Sequence, residues 1–118
     1  MLFHVSTSDN LNWLFPRVPT FTMPGEDETT PRVCLGQSIN GCFRGLADTY
    51  CSGRFFIYQI NEEKVKCHLH WPTVEEVPDV EKTGEVWSLV PTPVTKIGYV
   101  DVIEDFTGEK HYETHIYS

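Results

Sequence analysis

Only one segment of this chain has the residue spacing of an amphipathic helix, and that limits the folds open to it. The helix is predicted over 40–50, where Ile39, Cys42 and Leu46 recur at helical spacing after a plausible N-cap, Ser38. Most other apolar segments alternate with the period of two that is typical of β-strands. The order of elements predicts an α+β domain with mostly antiparallel strands, not an alternating parallel fold.

The predicted strands follow one another with turns between them, and the last two form a hairpin. Alternation places Leu2, His4 and Ser6 on one face of the first strand. A short turn of helix is predicted at 10–14, and a long ordered loop at 15–31, which contains four prolines. The strands are predicted at 2–7, 32–36, 54–60, 65–71, 85–90, 94–104 and 110–117.

The length and the charge of the chain limit the kinds of protein that it can be. Its 118 residues suit one domain over 1–118, and no apolar run is long enough to cross a membrane. A net charge of -8 would repel a nucleic-acid backbone, whereas an acidic face could dock a basic protein partner. The N-terminus does not resemble a secretion signal, so we expect a cytoplasmic protein whose four cysteines are reduced.

Motifs for hydrolysis and for metal binding are weak. The sequence has no glycine-rich phosphate loop, and the segment 36–40 lacks the final glycine of a nucleophile elbow. Cys67-His68-x-His70 and His111-x-Glu113-x-His115 gather ligand types, but zinc-type spacings are missing. Strand alternation alone often places such residues together, so we expect solvent-facing polar positions and no metal.

Three segments in order carry a resemblance to a known family. Phe3 to Leu11 (FHVSTSDNL) resembles the His-x-Thr or His-x-Ser strand, followed by Asn-Leu, that opens ADP-ribosyltransferase domains. Arg32 to Ile39 (RVCLGQSI) is similar to the family's middle strand running into a helix. Glu85 to Val100 (EVWSLVPTPVTKIGYV) looks like the segment that carries the family's catalytic glutamate. The chain therefore resembles a small, divergent ADP-ribosyltransferase-like domain, of the kind that phages or mobile elements encode.

The resemblance implies a fold and a site. The fold would have two packed sheets and one main helix, with NAD as the substrate in a cleft between the sheets. His4 and Ser6 would hold a ribose of NAD, and Ser38 would belong to the same NAD-binding set. Glu85 would be the catalytic residue together with His4, by stabilising the oxocarbenium-like state as nicotinamide leaves.

Two arginines beside prolines have two possible roles. Arg17 and Arg32 could grip the pyrophosphate of NAD through bidentate hydrogen bonds. The alternative is that they form internal salt bridges to Glu26 or Glu28.

One departure from the family pattern leaves the activity open. Cys34 stands where the family commonly has an aromatic residue that stacks on nicotinamide, and Tyr50 or Phe21 could supply that ring instead. The chain is thus expected either to transfer ADP-ribose from NAD to a macromolecular target, or to be a non-catalytic nucleotide-binding or protein-binding inhibitor module. The three tryptophans, Trp13 among them, are expected in core or edge packing.

Overall fold

The computed structural model describes residues 1–19, 24–44 and 52–118, which contain eight strands and two short α-helices. Two 3₁₀ turns, Glu62–Lys64 and Lys66–His68, precede β5. The mostly antiparallel α+β class predicted from the sequence is therefore present. In chain order the elements are β1 (Phe3–Ser6), β2 (Trp13–Leu14), β3 (Val33–Gly36), α1 (Ile39–Arg44), β4 (Gly53–Ile60), β5 (Leu69–His70), α2 (Val80–Thr83), β6 (Glu85–Ser88), β7 (Thr92–Glu104) and β8 (Lys110–Ile116).

The described strands form one hydrogen-bonded sheet. Its order is β2-β7-β4-β1-β3-β6-β5, with β8 also paired to β7, and every pairing is antiparallel. The expectation of two packed sheets is wrong for these strands. The physical reason is the length of β7, whose 13 residues pair with β4 and also reach β2 at one end and β8 at the other.

A β-bulge in β7 redistributes its side chains between the two faces of the sheet. Ile57 of β4 pairs with Gly98, but the next residue of β4 pairs with Lys96, which leaves Ile97 without an opposite residue. Val94 consequently packs on one face and Val100 on the other, although simple alternation would put both on the same face.

Each face of the sheet carries its own apolar cluster. α1 covers one face, where Phe43 packs edge-on against Phe55 with the ring centroids 5.7 Å apart. The opposite face is covered by Leu11 and Leu14. The first cluster comprises Val5, Phe43, Phe55, Ile57, Val100 and Val102, and the second comprises Leu2, Val33, Leu35, Tyr58, Ile60, Val65, Val86 and Val94.

Residues 13–17, here called the crossing segment, connect distant strands. The segment pairs with β7 through Leu14 and with the start of β3 through a two-way backbone bridge between Arg17 and Arg32. Three residue steps cover about 10 Å at most. Three strand spacings separate β7 from β3, about 14 Å on a flat sheet. The sheet must therefore be curved between β7 and β3, so that the segment can reach both.

Several local predictions meet a different outcome. The helical turn expected at 10–14 is wrong, because Trp13–Leu14 forms a strand against β7. The strand expected at 65–71 is largely 3₁₀ turn, with only Leu69–His70 extended. The helix predicted over 40–50 is confirmed as far as Arg44, and its remainder lies outside the described residues.

Among the described residues, no helix is long and apolar enough to cross a membrane.

Candidate functional site

A cavity opens where β1 and β3 separate. The two strands pair at a single position, Phe3 opposite Gly36, whereas each pairs over four residues with its other neighbour. The cavity has a volume of about 520 Å³, which lies within the range of small-molecule sites. Among the residues that line it are five of the six predicted from the sequence to form the site: His4, Ser6, Arg17, Arg32 and Glu85.

The two residues expected to act together reach this cavity from opposite faces of the sheet. His4 lies opposite Tyr58 in the ladder, whereas Glu85 lies opposite Gly36, which in turn faces Phe3. Directly opposed residues share a face and successive residues alternate, so His4 and Glu85 project to different sides. Both line one cavity because the separation of β1 from β3 opens a passage between the two faces.

His4 is held in one orientation by a single hydrogen bond. Its Nδ1 lies 3.1 Å from the backbone carbonyl oxygen of Cys34, an atom that can only accept, so Nδ1 carries the proton. Burial lowers the pKa of His4, the bond to Cys34 opposes this, and the nearby positive charge of Arg17 lowers the pKa further. The neutral ring therefore keeps Nε2 as a hydrogen-bond acceptor.

Glu85 is a half-buried carboxyl group with one fixed oxygen. Its Oε2 accepts a hydrogen bond of 2.6 Å from the indole Nε1 of Trp87, a fully buried residue two positions along β6. Burial raises the pKa of Glu85, the Trp87 bond acts in the opposite direction, and the negative charge of Glu26 raises the pKa again. A carboxylate with a raised pKa is a stronger base than an ordinary surface glutamate.

Arg32 is committed to internal contacts. Its side chain is 0% exposed, and its Nη2 lies 2.7 Å from a carboxylate oxygen of Glu26. Its Nη1 donates to the carbonyl of Thr30 at 3.0 Å, and the guanidinium stacks 4.1 Å from the centre of the Trp87 ring. The internal salt bridge weighed from the sequence is therefore present. The Nε atom is buried and has no hydrogen-bond partner among the described residues.

Arg17 differs from Arg32 although their backbones are paired. The residue is exposed, lines the cavity, and makes no ion pair or side-chain hydrogen bond with the described part of the chain. Arg17 and His4 line the same cavity, and the positive charge of Arg17 contributes to the lowered pKa of His4. Of the two arginines, Arg17 is the one whose donors have no partner within residues 1–19, 24–44 and 52–118, and they could bind an anionic ligand.

The two predicted serines differ in their position relative to the cavity. Ser6 lines the cavity, and its hydroxyl accepts a hydrogen bond of 3.1 Å from the backbone N–H of Ser8. Ser38 does not line the cavity, because its hydroxyl accepts the N–H of Gly41 at 2.9 Å in the first turn of α1. The predicted capping role of Ser38 is thus present, and its predicted role in binding NAD has no support from its position.

The cysteines in the cavity wall are not activated nucleophiles. Burial is the main cause that raises the pKa of Cys34 to about 11 and the pKa of Cys42 to about 12. Both thiols therefore stay protonated near neutral pH, where only a thiolate would attack.

The residues of each metal-ligand pattern noted in the sequence do not all lie together in the structure. Glu113 and His115 gather with Asp101, but Asp101 already binds the guanidinium of Arg54 at 2.7 and 3.0 Å. His111 gathers instead with Asp105, whose carboxylate it contacts at 2.8 Å.

His70, from the other pattern, contacts both carboxylate oxygens of Glu76 at 2.9 Å. His70 and His111 therefore each contact a nearby carboxylate, whereas His115 lies in a group with Asp101 and Glu113.

Sequence reasoning missed two aromatic residues of the site. Trp13 and Phe15 line the cavity and are 50% and 66% exposed. Trp13 lies on the edge strand β2 and not in the core, which is the edge position of the two that were expected. Residues 13–15 are a short run of aromatic and apolar residues, and this strand-favouring composition, not a periodicity, is the signal that could have identified them. Tyr50 and Phe21, which were considered as the stacking ring, lie outside the described residues.

The fold and the cavity together define a class: a small antiparallel α+β domain with a small-molecule-sized cavity, lined by both apolar and polar side chains, in a split sheet. Comparison of the chain with protein-family models, with curated proteins and with solved structures found no match. The function must therefore be argued from the site itself.

Proposed function

We propose that the cavity binds NAD and that the chain transfers ADP-ribose from it to a macromolecular target. The observation that supports this most strongly is that His4 and Glu85, from two strands that are not neighbours, line one cavity with Arg17. On this proposal the split sheet is a divergent form of the ADP-ribosyltransferase fold.

The ribose is the part of NAD that suits His4 and Ser6. A neutral imidazole with Nδ1 bound to the Cys34 carbonyl presents Nε2 as an acceptor for a ribose hydroxyl. The hydroxyl group of Ser6 lies on the same face of β1 and can donate to a second ribose oxygen. Both partners are set on a strand, which fixes the sugar relative to the carboxyl group of Glu85.

Glu85 acts on the bond between ribose and nicotinamide. As the C–N bond breaks, nicotinamide leaves with the electron pair and positive charge develops on the ribose. A carboxylate beside the sugar stabilises that charge, and it can take the proton of the attacking acceptor group. The bond from Trp87 holds one oxygen of Glu85 and leaves the other for these tasks.

Arg17 supplies the positive charge that the pyrophosphate requires. The chain as a whole carries a charge of -8, so a dinucleotide with negative phosphates needs a local cation. Arg17 lines the cavity without an internal ion pair in the described ranges, whereas Arg32 is neutralised by Glu26.

Nicotinamide release and label transfer from NAD test the proposal directly. The protein is incubated with NAD labelled in its ADP-ribose part and a cell lysate. The wild type is expected to release nicotinamide and to label a target. Glu85→Gln is expected to lose this activity by about 100-fold or more while still binding NAD, because only the charge that acts in the transition state is removed.

Glu81→Gln is the matched control, since Glu81 is an exposed carboxylate on α2. The enzymatic proposal fails when the wild type neither releases nicotinamide nor labels a target, or when Glu85→Gln turns over NAD as fast as Glu81→Gln.

A second candidate is a non-catalytic module that binds a nucleotide or a protein partner. The observation that favours it is Cys34, a neutral thiol where the family's aromatic ring would stand. Calorimetric binding of NAD by the wild type, without any nicotinamide release, would support this candidate over the enzyme.

A further inference from the structure

Trp13 and Phe15 are exposed aromatic residues at the rim of a cavity that also holds polar and charged side chains. They are 50% and 66% exposed, and both belong to the lining of the cavity. Single exposed apolar side chains are common, but two aromatic rings beside one concave site indicate a surface that a ligand covers. Trp71 and Phe106 are also exposed but do not line the cavity.

The crossing segment holds the two residues in place. Trp13 lies opposite Pro93 at the start of β7, and the N–H of Val94 donates to the carbonyl of Asn12 at 3.0 Å. Beyond Phe15, Arg17 is bridged to Arg32 by two backbone hydrogen bonds of 3.1 and 3.0 Å.

Leu14, which stands between the two aromatic residues in the sequence, packs against the second apolar cluster. Both rings therefore stand on a segment anchored at each end, which keeps the entropy cost of ordering them for a ligand low.

The chemistry of the surroundings selects the kind of ligand. Aromatic rings stack well on planar heteroaromatic rings, and such stacking contributes about 1–3 kcal/mol per base. His4 and Arg17 in the same cavity suit the ribose and the phosphates that a base carries.

We propose that Trp13 and Phe15 form the stacking surface for the heteroaromatic ring of the bound nucleotide. This inference rests on the proposed function, because it assigns a binding partner to one ring of NAD.

The test measures the Kd of NAD by calorimetry for Trp13→Leu, Phe15→Leu and the wild type. Trp71→Leu is the matched control, because Trp71 is 58% exposed and does not line the cavity. We expect NAD to bind about 10-fold more weakly to Trp13→Leu and to Phe15→Leu, and unchanged to Trp71→Leu. Thermal midpoints equal to the control show that the variants remain folded.

A second measurement separates stacking from a general loss of the site. AMP and nicotinamide mononucleotide each differ from ribose 5-phosphate by one heteroaromatic ring. In Trp13→Leu and Phe15→Leu, the compound that carries the stacking ring is expected to lose affinity, whereas the affinity for ribose 5-phosphate is expected to stay the same. An equal loss for ribose 5-phosphate would overturn the stacking role.

The two proposals fail in different ways. A wild type that does not bind NAD overturns the proposed function, and the stacking role with it. A wild type that binds NAD, with both aromatic variants within twofold of it, overturns the stacking role alone.

Discussion

At the scale of single residues, His4 combines a buried ring with one fixed hydrogen bond. The carbonyl of Cys34 determines which nitrogen carries the proton, and burial determines that the other nitrogen stays unprotonated near neutral pH. The same burial makes His4 a source of acid sensitivity in the fold.

The pH dependence of stability provides a prediction for His4. Burial lowers its pKa below the value of 6.5 that applies to the unfolded chain, so the unfolded chain binds more protons as the pH falls below 6.5. The free energy of unfolding of the wild type is therefore expected to fall as the pH drops through this value towards the folded pKa.

His4→Gln lacks this titration and serves as the reference. Urea denaturation at about pH 7.5 and about pH 5.5 gives the difference between the two proteins at each pH. The wild type should lose more stability than His4→Gln on acidification. An equal loss in both proteins would show that His4 is not desolvated in the folded state.

The sequence identified residues of the site better than it identified their geometry. His4, Ser6 and Glu85 were predicted from the resemblance to a known family, and Arg17 from its place beside prolines. All four line the cavity. That His4 and Glu85 leave opposite faces could not be read from either strand alone, because it depends on how β1 and β3 pair and separate.

At the scale of elements, β7 determines the shape of the sheet. Its prediction as a strand over 94–104 was nearly complete, but the bulge at Ile97 was missed, because a bulge depends on the register with β4. Trp13–Leu14 was mistaken for a helical turn for a similar reason: two residues carry little periodicity, and their pairing with β7 is a long-range contact.

Gly98 supplies a prediction for this element. A Cβ atom at Gly98 would overlap the backbone carbonyl oxygen of His115 in β8. Gly98→Ala is therefore expected to force β7 and β8 apart and to lower the free energy of unfolding by about 1–3 kcal/mol, measured by urea denaturation.

Thr95→Ala is the control for Gly98→Ala, because Thr95 is an exposed position of the same strand. A stability of Gly98→Ala within about 0.5 kcal/mol of the control would contradict the close approach of the two strands at this point.

At the scale of the whole molecule, the curved sheet and the crossing segment create the cavity together. β1 and β3 separate after one pair, and residues 13–17, which connect β7 to the start of β3, contribute four residues to the cavity lining. The sequence predicted the α+β class, yet not the single sheet, because the length of β7 that joins the strands acts only through tertiary pairing. On this account, the function depends on the separation of β1 from β3 and not on any single sequence motif.

The central claim is that NAD binds in the split between β1 and β3. An experimental structure of the protein at saturating NAD tests it most directly. We predict a nucleotide in the cavity, with a ribose hydroxyl at hydrogen-bonding distance from Nε2 of His4 and the sugar beside the carboxyl group of Glu85. An empty cavity at saturating NAD, or a nucleotide bound elsewhere, would contradict the claim.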